Sequence, residues 1–367
     1  MENNFRKLAS IQIISDLKPI EGKDRIMQAT VLGWSLIVGK LDFKVGDKCV
    51  YIEPDSILDP NNPVFEQARK RSNRVKTMKM AGIYSQGIAY PLYVFNMNLE
   101  KYNVGDDVTE LLKIKKYDPQ AEEEEKLNVS TKPVKKYPQF LMRWAWFRKL
   151  VLPSKKQQRG FPTEYISKTD ELRCQLIPEV LQNKDKCIIT EKLDGSSLSA
   201  LLIKTKTWYG KTKYEFILCS RNLRLWTPDG SYYWEMARKY NLEAILKQMI
   251  GDNEWVAIQG EVYGASIQKN PYKMSGRELR VFNLIYPSGR LGSVEAEKIC
   301  NKNGLLFVPI LDTEFVLPDT VEEMLKYANG KSVINPNVDR EGVVVRSLDG
   351  QKSFKAVSPE YLIKHEQ

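Results

Sequence analysis

The sequence predicts an α+β protein in two parts, a small β-barrel in front of a larger domain of mixed strands and helices. The 367 residues are enough for two domains and a connector. In the first 115 residues, short apolar stretches alternate with turns, which is typical of a small barrel. From residue 161 to 367, strand-like and helix-like segments alternate irregularly, which indicates a mixed α+β domain.

The predicted barrel, residues 1–115, has candidate strands at 29–32, 35–38, 49–52 and 87–90. Val-Gly-Asp turns recur at 45–47 and 104–106. A basic stretch from Arg69 to Lys79 lies between the strands. Its charge pattern fits a solvated helix or loop and a surface that follows phosphates equally well.

Residues 116–160 form a predicted connector. Four consecutive glutamates at 122–125 repel one another and resist packing, so this segment is expected to be exposed. Trp144, Trp146 and Phe147 follow among arginines and lysines. We expect these rings to pack on a domain, although stacking on bases is the alternative reading.

The second domain has seven candidate strands, at 187–190, 197–203, 214–219, 255–262, 279–285, 342–346 and 353–357. Its candidate helices are 172–182, 231–250, 293–303 and 319–329, the last with Asp319 as N-cap. No Gly-x-Gly-x-x-Gly or Walker-type loop follows any strand, so neither a Rossmann site nor a P-loop is supported.

Composition restricts the chemistry. Lysine and arginine number 56 against 46 acidic residues, and the net charge of +10 favours a polyanionic partner such as nucleic acid. Five scattered cysteines and the lack of an apolar run of about 20 residues predict a soluble intracellular protein without a membrane partner. The single histidine, His365, stands close to the end of the sequence, so we expect no histidine inside a site. Catalytic triads and twin-histidine sites need one there and are therefore not expected. An enzyme with this composition must rely on lysine, carboxylates and a hard metal ion.

Residues 191–196 read Glu-Lys-Leu-Asp-Gly-Ser and place Lys192 beside Asp194 at a predicted turn. A desolvated lysine near other cations loses its proton and attacks a carbonyl or a phosphate. Alone, the pattern fits a surface hairpin as well.

Four later segments follow in order: Ser-Arg-Asn at 220–222, Gly-Glu-Val-Tyr-Gly at 260–264, Arg-Glu-Gly-Val-Val-Val-Arg at 340–346 and Lys-Ser-Phe-Lys at 352–355. This order resembles motifs I, Ia, III, IV and V of the covalent nucleotidyltransferase superfamily, which includes ATP-dependent ligases and capping enzymes. Val-Phe-Asn at 281–283 resembles motif IIIa of that superfamily.

The position of the predicted barrel distinguishes the branches. DNA ligases and capping enzymes carry an OB barrel after motif V, whereas only twelve residues follow Lys355, and we expect no such domain. A barrel in front resembles the family 5 RNA ligases, as do segments 6–11, 45–47, 51–56, 161–162 and 168–171. The resemblance implies an N-terminal OB-like barrel and a nucleotidyltransferase domain with antiparallel sheets.

The resemblance implies an ATP-dependent RNA ligase that repairs nicked duplexes or broken strand ends. Lys192 would take AMP from ATP, pass it to an RNA 5′-phosphate, and release it when a 3′-OH attacks. The other implied nucleotide contacts are Thr190 and Glu191 at the adenine edge, Arg221 and Glu261 at the ribose, Phe282 on the base, Lys355 and Lys352 at the α-phosphate, and Lys168 and Arg173 at the leaving phosphates.

Mg²⁺ or Mn²⁺ would be held by Glu341 with help from Glu261 and Asp194, directly or through water. Motif V departs from the frequent Lys-x-Lys pattern, since Lys352 and Lys355 are three residues apart and point to opposite faces of a strand. We therefore favour Lys355 as the phosphate ligand. We expect a monomer.

Two alternatives remain. One is another covalent nucleotidyltransferase, a DNA ligase or a capping enzyme; the other is an inactive RNA-binding protein. Covalent labelling by ATP separates the second from an enzyme.

Overall fold

The structure, a computed structural model, describes residues 6–117, 160–226, 228 and 230–365. The predicted connector, with its glutamate run and its tryptophans at 144 and 146, lies almost entirely at 118–159, outside the described residues. None of the described helices is long and apolar enough to cross a membrane.

The strands of the front domain are β1 Ala9–Ile20, β2 Lys23–Val31, β3 Trp34–Gly39, β4 Lys48–Ile52, β5 Ser56–Ile57, β6 Thr77–Met80, β7 Ile83–Gln86, β8 Ile88–Pro91 and β9 Lys115–Lys116. Five of them form an antiparallel sheet in the order β3-β2-β1-β4-β8. Helix α1, Glu66–Arg69, follows the 3-10 helix Pro63–Phe65, and a second 3-10 helix spans Leu92–Phe95. Apolar clusters cover both faces of the sheet, as expected for a half-barrel.

Strand β9 crosses the predicted domain boundary. Lys116 pairs with Ser56 of β5, and the Tyr117 N–H donates to the Asp55 carbonyl. The front domain therefore keeps its backbone pairing up to residue 117.

The strands described in the second domain are β10 Cys187–Lys192, β11 Ser196–Lys206, β12 Thr212–Cys219, β13 Arg224–Leu225, β14 Trp255–Gly264, β15 Arg277–Tyr286, β16 Gly289–Arg290, β17 Leu306–Phe307, β18 Ile310–Phe315, β19 Gly342–Ser347 and β20 Ser353–Val357. They form two antiparallel sheets, with one short parallel pairing between β15 and β17. The four-stranded sheet has the order β18-β10-β19-β20, and the larger sheet has the order β13-β12-β11-β14-β15-β16 with β17 beside β15.

Among the described residues, five helices cover these sheets: α2 Tyr232–Lys239, α3 Leu242–Met249, α4 Ser293–Lys302, α5 Val321–Ala328 and α6 Pro359–His365. The largest apolar cluster joins the inner face of the larger sheet to α2, α3 and α4. A separate cluster joins the smaller sheet to α5. The chain passes from the smaller sheet to the larger one between Lys192, the last residue of β10, and Ser196, the first of β11, and Asp194 lies in this turn.

Two helix predictions and one N-cap prediction need correction. The N-cap of α5 is Thr320 rather than Asp319, because the Thr320 hydroxyl accepts from the Glu323 N–H in a capping box. Residues 172–182 form two 3-10 helices, Cys174–Leu176 and Pro178–Gln182, because Pro178 has no N–H to continue an α-helix and Arg173 pairs instead with Lys355. Residues 231–250 form α2 and α3, separated at Asn241, whose φ of 48° is left-handed.

Candidate active site

A cavity of about 700 Å³ lies where the two sheets of the second domain meet the front domain. Ten of the twelve distinct predicted site residues line it: Arg173, Thr190, Glu191, Lys192, Asp194, Arg221, Glu261, Phe282, Glu341 and Lys355. Residues from seven separate segments of the sequence therefore converge on one space.

The register of β10 and β19 places Lys192 beside the carboxylate of Glu341. Lys192 pairs with Gly342, so the residue before the glycine, Glu341, reaches back across the pair. Lys192 Nζ lies 2.5 Å from Glu341 Oε2. A Cβ on Gly342 would stand 2.2 Å from the carbonyl oxygen of Ala356, so only glycine permits this approach.

Opposing effects act on the pKa of Lys192. Burial lowers it, whereas the carboxylates of Glu341, Glu261 and Asp194 raise it, and the outcome is a raised pKa. With only these side chains around it, the amine is an ammonium and cannot attack. Activation requires positive charge that offsets the three carboxylates.

The excess of carboxylates over cations also affects the pKa of Glu261, on β14. Burial and the neighbouring Glu341 and Asp194 raise its pKa to about 8, against the lowering effect of Lys192 and Arg221. The carboxylates of Glu261, Glu341 and Asp194 thus all interact with the ammonium of Lys192 in a desolvated space. A cation there would stabilise the ionised form of Glu261.

This donor set fits a hard divalent cation. Among the described residues, no three histidine, cysteine or acidic side chains are arranged to hold a metal by themselves. Mg²⁺ takes one or two protein carboxylates and completes its shell with phosphate oxygens and water, so a full protein cage is unnecessary. Glu341, Glu261 and Asp194 supply such carboxylates.

Asp194 is fixed by two tyrosines. The Tyr361 hydroxyl donates to Asp194 Oδ2 at 2.8 Å, and the Asp194 N–H donates to the Tyr272 hydroxyl at 2.7 Å. Tyr361 belongs to α6, which sequence reasoning did not include in the site. No motif marked it.

A cluster of cations surrounds Asp170 at the other end of the cavity. Its carboxylate lies 2.6 Å from Lys116 Nζ, 3.1 Å from Lys355 Nζ and 3.4 Å from Arg221 Nη2. Although burial opposes ionisation, these cations hold the pKa of Asp170 far below its usual range. Burial also lowers the pKa of Lys355 to about 8, against the effect of Asp170.

The front domain contributes directly to this cavity through Arg6, Asp55, Arg74, Lys76, Lys116 and Tyr117. Asp55 bridges the domains, accepting from Arg173 at 2.9 Å and from Arg74 at 2.5 Å. Arg74 also lies 4.0 Å from the centre of the Tyr117 ring. Sequence reasoning missed this contribution, although segment 51–56, which contains Asp55, was among the segments that resembled the family.

The residues predicted to contact adenine, Thr190, Glu191 and Phe282, line the same cavity. The Thr190 hydroxyl donates to the Val344 carbonyl at 3.4 Å, and Glu191 accepts from the Val333 N–H at 2.8 Å. Arg346 donates to the Phe282 carbonyl at 2.9 Å and fixes the backbone under that ring.

Two predicted phosphate ligands lie apart from the cavity wall. Lys168 is exposed and lies 3.4 Å from Asn222 Oδ1. Lys352 is exposed and directly precedes β20. The only histidine, His365, does line the cavity, with its ring stacked 4.1 Å from Tyr361. The expectation that no histidine would lie in the site was therefore wrong, because α6 folds back over the cavity.

Comparisons with known proteins agree with this arrangement. An OB-fold domain family matches residues 8–92, and the RNA ligase family matches residues 185–357. A search of curated proteins gave no significant match.

Solved structures of Naegleria gruberi RNA ligase are similar over nearly the whole chain. A mutant with ATP and Mn is 32% identical, with a TM-score of 0.80 and coverage of 99% of this chain and 100% of that one. A mutant with AMP and Mn is 32% identical at a TM-score of 0.78, covering 98% and 99%. The enzyme with PPi is 32% identical at 0.77, covering 99% of each. Identity at this level over both full lengths shows that the chain belongs to the RNA ligase family, with an N-terminal OB domain followed by a ligase domain.

Proposed function

We propose that the protein is an ATP-dependent RNA ligase that joins an RNA 3′-OH to a 5′-phosphate through an AMP adduct on Lys192. The observation that carries this proposal is the buried Lys192–Glu341 pair, with Glu261, Asp194 and Lys355 in the same cavity. Relatives of the same architecture have been solved with ATP, AMP, Mn and PPi.

In the first step, the deprotonated Lys192 Nζ attacks the α-phosphorus of ATP, the bond to the bridging oxygen breaks, and pyrophosphate leaves. Phosphoryl transfer depends on in-line positioning and charge neutralisation. A bound Mg²⁺ or Mn²⁺ lowers the pKa of nearby groups and neutralises phosphate charge. Glu341, Glu261 and Asp194 are the residues that would hold it.

The remaining residues orient the nucleotide. Phe282 stacks on adenine beside Thr190 and Glu191, while Arg221 and Glu261 contact the ribose. Lys355 neutralises the α-phosphate. Arg173 and Lys116 face the leaving phosphates from opposite sides of the domain interface. Contacts from Lys168 and Lys352 stay predictions.

In the second and third steps, the AMP moves to an RNA 5′-phosphate, and an RNA 3′-OH then displaces it. Nicked duplexes and broken strand ends both present these groups. We further propose that the protein is a monomer. We also propose that it works inside the cell, because all five cysteines are buried free thiols. We also propose the domain division expected from the sequence, with a ligase domain from residue 161 and a front domain that the pairing of β9 extends from residue 115 to residue 117.

The test is covalent labelling with ATP that carries its label on the α-phosphate. Lys192→Ala and Lys192→Arg should form no adduct, because neither side chain supplies a neutral amine, yet both should still seal RNA that is already 5′-adenylated. Lys186→Ala is the matched control, since Lys186 precedes the same strand but is exposed and paired with Glu314. A labelled Lys192→Ala protein would overturn the assignment, and an unlabelled wild type would favour an inactive RNA-binding protein.

A further inference from the structure

The β11–β12 hairpin ends in a tip that the ligase mechanism does not use. Residues 204–214 read Lys-Thr-Lys-Thr-Trp-Tyr-Gly-Lys-Thr-Lys-Tyr, with four lysines and no acidic residue. We call this segment the basic hairpin tip. On one side, β11 is paired with β14 only as far as Ile203, so the basic hairpin tip projects beyond the sheet as a two-stranded ribbon.

The exposure of its tryptophan is unusual for this chain. Trp208 is 95% exposed, whereas the other four tryptophans among the described residues are buried or half-buried. Tyr209 is 57% exposed and lies edge-on to Trp208, with ring centres 5.2 Å apart. Two adjacent aromatic rings at the end of a hairpin contribute nothing to the core.

Unpaired positive charge flanks these rings. Lys206 and Thr212 are directly opposite in the ribbon, and Lys213 is opposite Thr205, so the lysines lie on both of its faces. In the described part of the chain, no acidic side chain forms an ion pair with Lys206, Lys211 or Lys213. Lys211 Nζ lies 6.0 Å from the Tyr209 ring centre.

From this combination we propose that the basic hairpin tip binds unpaired RNA outside the active site, stacking a base on Trp208 and contacting phosphates through Lys206 and Lys211. Exposed aromatic rings interleaved with cations suit single strands, whose bases offer open faces. A paired duplex would offer the lysines its phosphates but would leave the rings without a partner. This inference rests on the proposed RNA substrate.

The hairpin also connects the proposed contact to the reaction centre. Strand β11 starts at Ser196, just after the cavity residue Gly195, and reaches the tip at about residue 207. At ~3.3 Å per residue, the tip lies roughly 35 Å along the strand from the start of β11. Strand β12 returns from the tip toward Arg221 in the cavity. RNA held at the tip is thus separated from the break by many nucleotides.

The test measures binding of a fluorescent single-stranded oligouridylate by anisotropy, with wild type and three variants at Trp208. Trp208→Ala should weaken binding roughly 10-fold, the size expected for one lost stacked base. Trp208→Phe should keep most of the affinity, and Trp208→Leu, which retains apolar bulk without a ring face, should behave like alanine. Lys206→Ala with Lys211→Ala should reduce the slope of log affinity against log salt by roughly 1.

Two further measurements separate the possible failures. Formation of the Lys192–AMP adduct and sealing of a short blunt nicked duplex should be unchanged in every Trp208 variant. Equal oligouridylate binding by all variants, or equal binding by the leucine and phenylalanine variants, would overturn the proposal. Loss of adduct formation in a Trp208 variant would show that the substitution disturbs the fold. An equal loss of sealing on the blunt nicked duplex would show that Trp208 contacts duplex rather than unpaired RNA. Either result also overturns the proposal. If wild type forms no adduct, the proposed ligase activity fails, while the binding comparison still decides the role of the tip.

Discussion

The Tyr361 hydroxyl donates to Asp194 Oδ2 at 2.8 Å, joining helix α6 to the turn that follows Lys192. Burial and the carboxylates of Asp194 and Glu341 raise the pKa of Tyr361 strongly, so the phenol keeps its proton and remains a donor. Asp194 therefore points into the cavity with one oxygen fixed.

Tyr361→Phe should slow adduct formation roughly 10-fold, because a hydrogen bond to a charged group contributes ~1.5–3 kcal/mol. Single-turnover labelling with ATP measures this. Tyr240→Phe is the matched control, since Tyr240 also donates to a carboxylate, that of Glu278, away from the cavity. Equal rates in Tyr361→Phe and wild type would show that Asp194 needs no such support.

Glu341→Ala should reduce the rate of adduct formation by at least about two orders of magnitude, ~3 kcal/mol in the barrier. The cation would lose its principal carboxylate, whereas adenine would keep its contact with Phe282, so the affinity for ATP should change less. Glu341→Gln should hardly restore the rate, because the amide lacks the charge. Single-turnover rates across a Mg²⁺ titration provide the measurement. Wild-type rates and metal dependence in both variants would move the metal role to Asp194 and Glu261.

The affinity for a non-cleavable ATP analogue, α,β-methylene ATP, should fall as the pH rises above 8 in the absence of divalent metal. Burial lowers the pKa of Lys355 to about 8, and a bound phosphate favours its charged form, so binding above pH 8 requires proton uptake. Glu261, with its pKa raised to about 8 by burial, gains negative charge over the same range and acts in the same direction. Calorimetric titrations between pH 7 and 9 measure the effect.

Lys355→Arg should remove only the Lys355 contribution to this pH dependence, because a guanidinium stays charged. Glu261→Gln should remove only the other contribution. An unchanged pH profile in Lys355→Arg would mean that Lys355 does not contact the phosphates.

Lys116→Ala should reduce adduct formation several-fold although Lys116 belongs to the front domain. Its ammonium lies 2.6 Å from Asp170 and lines the cavity. The neighbouring Lys115 has its side chain outside the cavity, so Lys115→Ala serves as the control. If both variants formed the adduct at the wild-type rate but sealed RNA poorly, the front domain would serve RNA alone.

The sequence predicted the second domain well where chemistry and periodicity agree. Strands β10 and β14, which carry Lys192 and Glu261, and strand β19, which begins directly after Glu341, lie where the apolar runs predicted them. The RNA ligase relationship is confirmed. The domain boundaries stay predictions.

Relationships across the domain interface were beyond sequence reasoning. The ion pairs Asp55–Arg173 and Lys116–Asp170 form only because the front domain packs against the cavity, and no local pattern records that packing. The helix predicted at 172–182 failed for a related reason, since Arg173 is drawn into pairing with Lys355. The sequence around His365 does not indicate that α6 covers the cavity, so the sequence predicts no histidine in the site.

The pairing of Lys192 with Gly342 has a consequence for folding. Lys192 and Glu341 are separated by 149 positions, so their contact closes a long loop and raises the contact order of the domain. During synthesis the lysine leaves the ribosome well before the glutamate does. Until β19 pairs with β10, Lys192 lacks the neighbouring Glu341 carboxylate. The proposed acceptor of AMP therefore acquires its surroundings only with the tertiary structure.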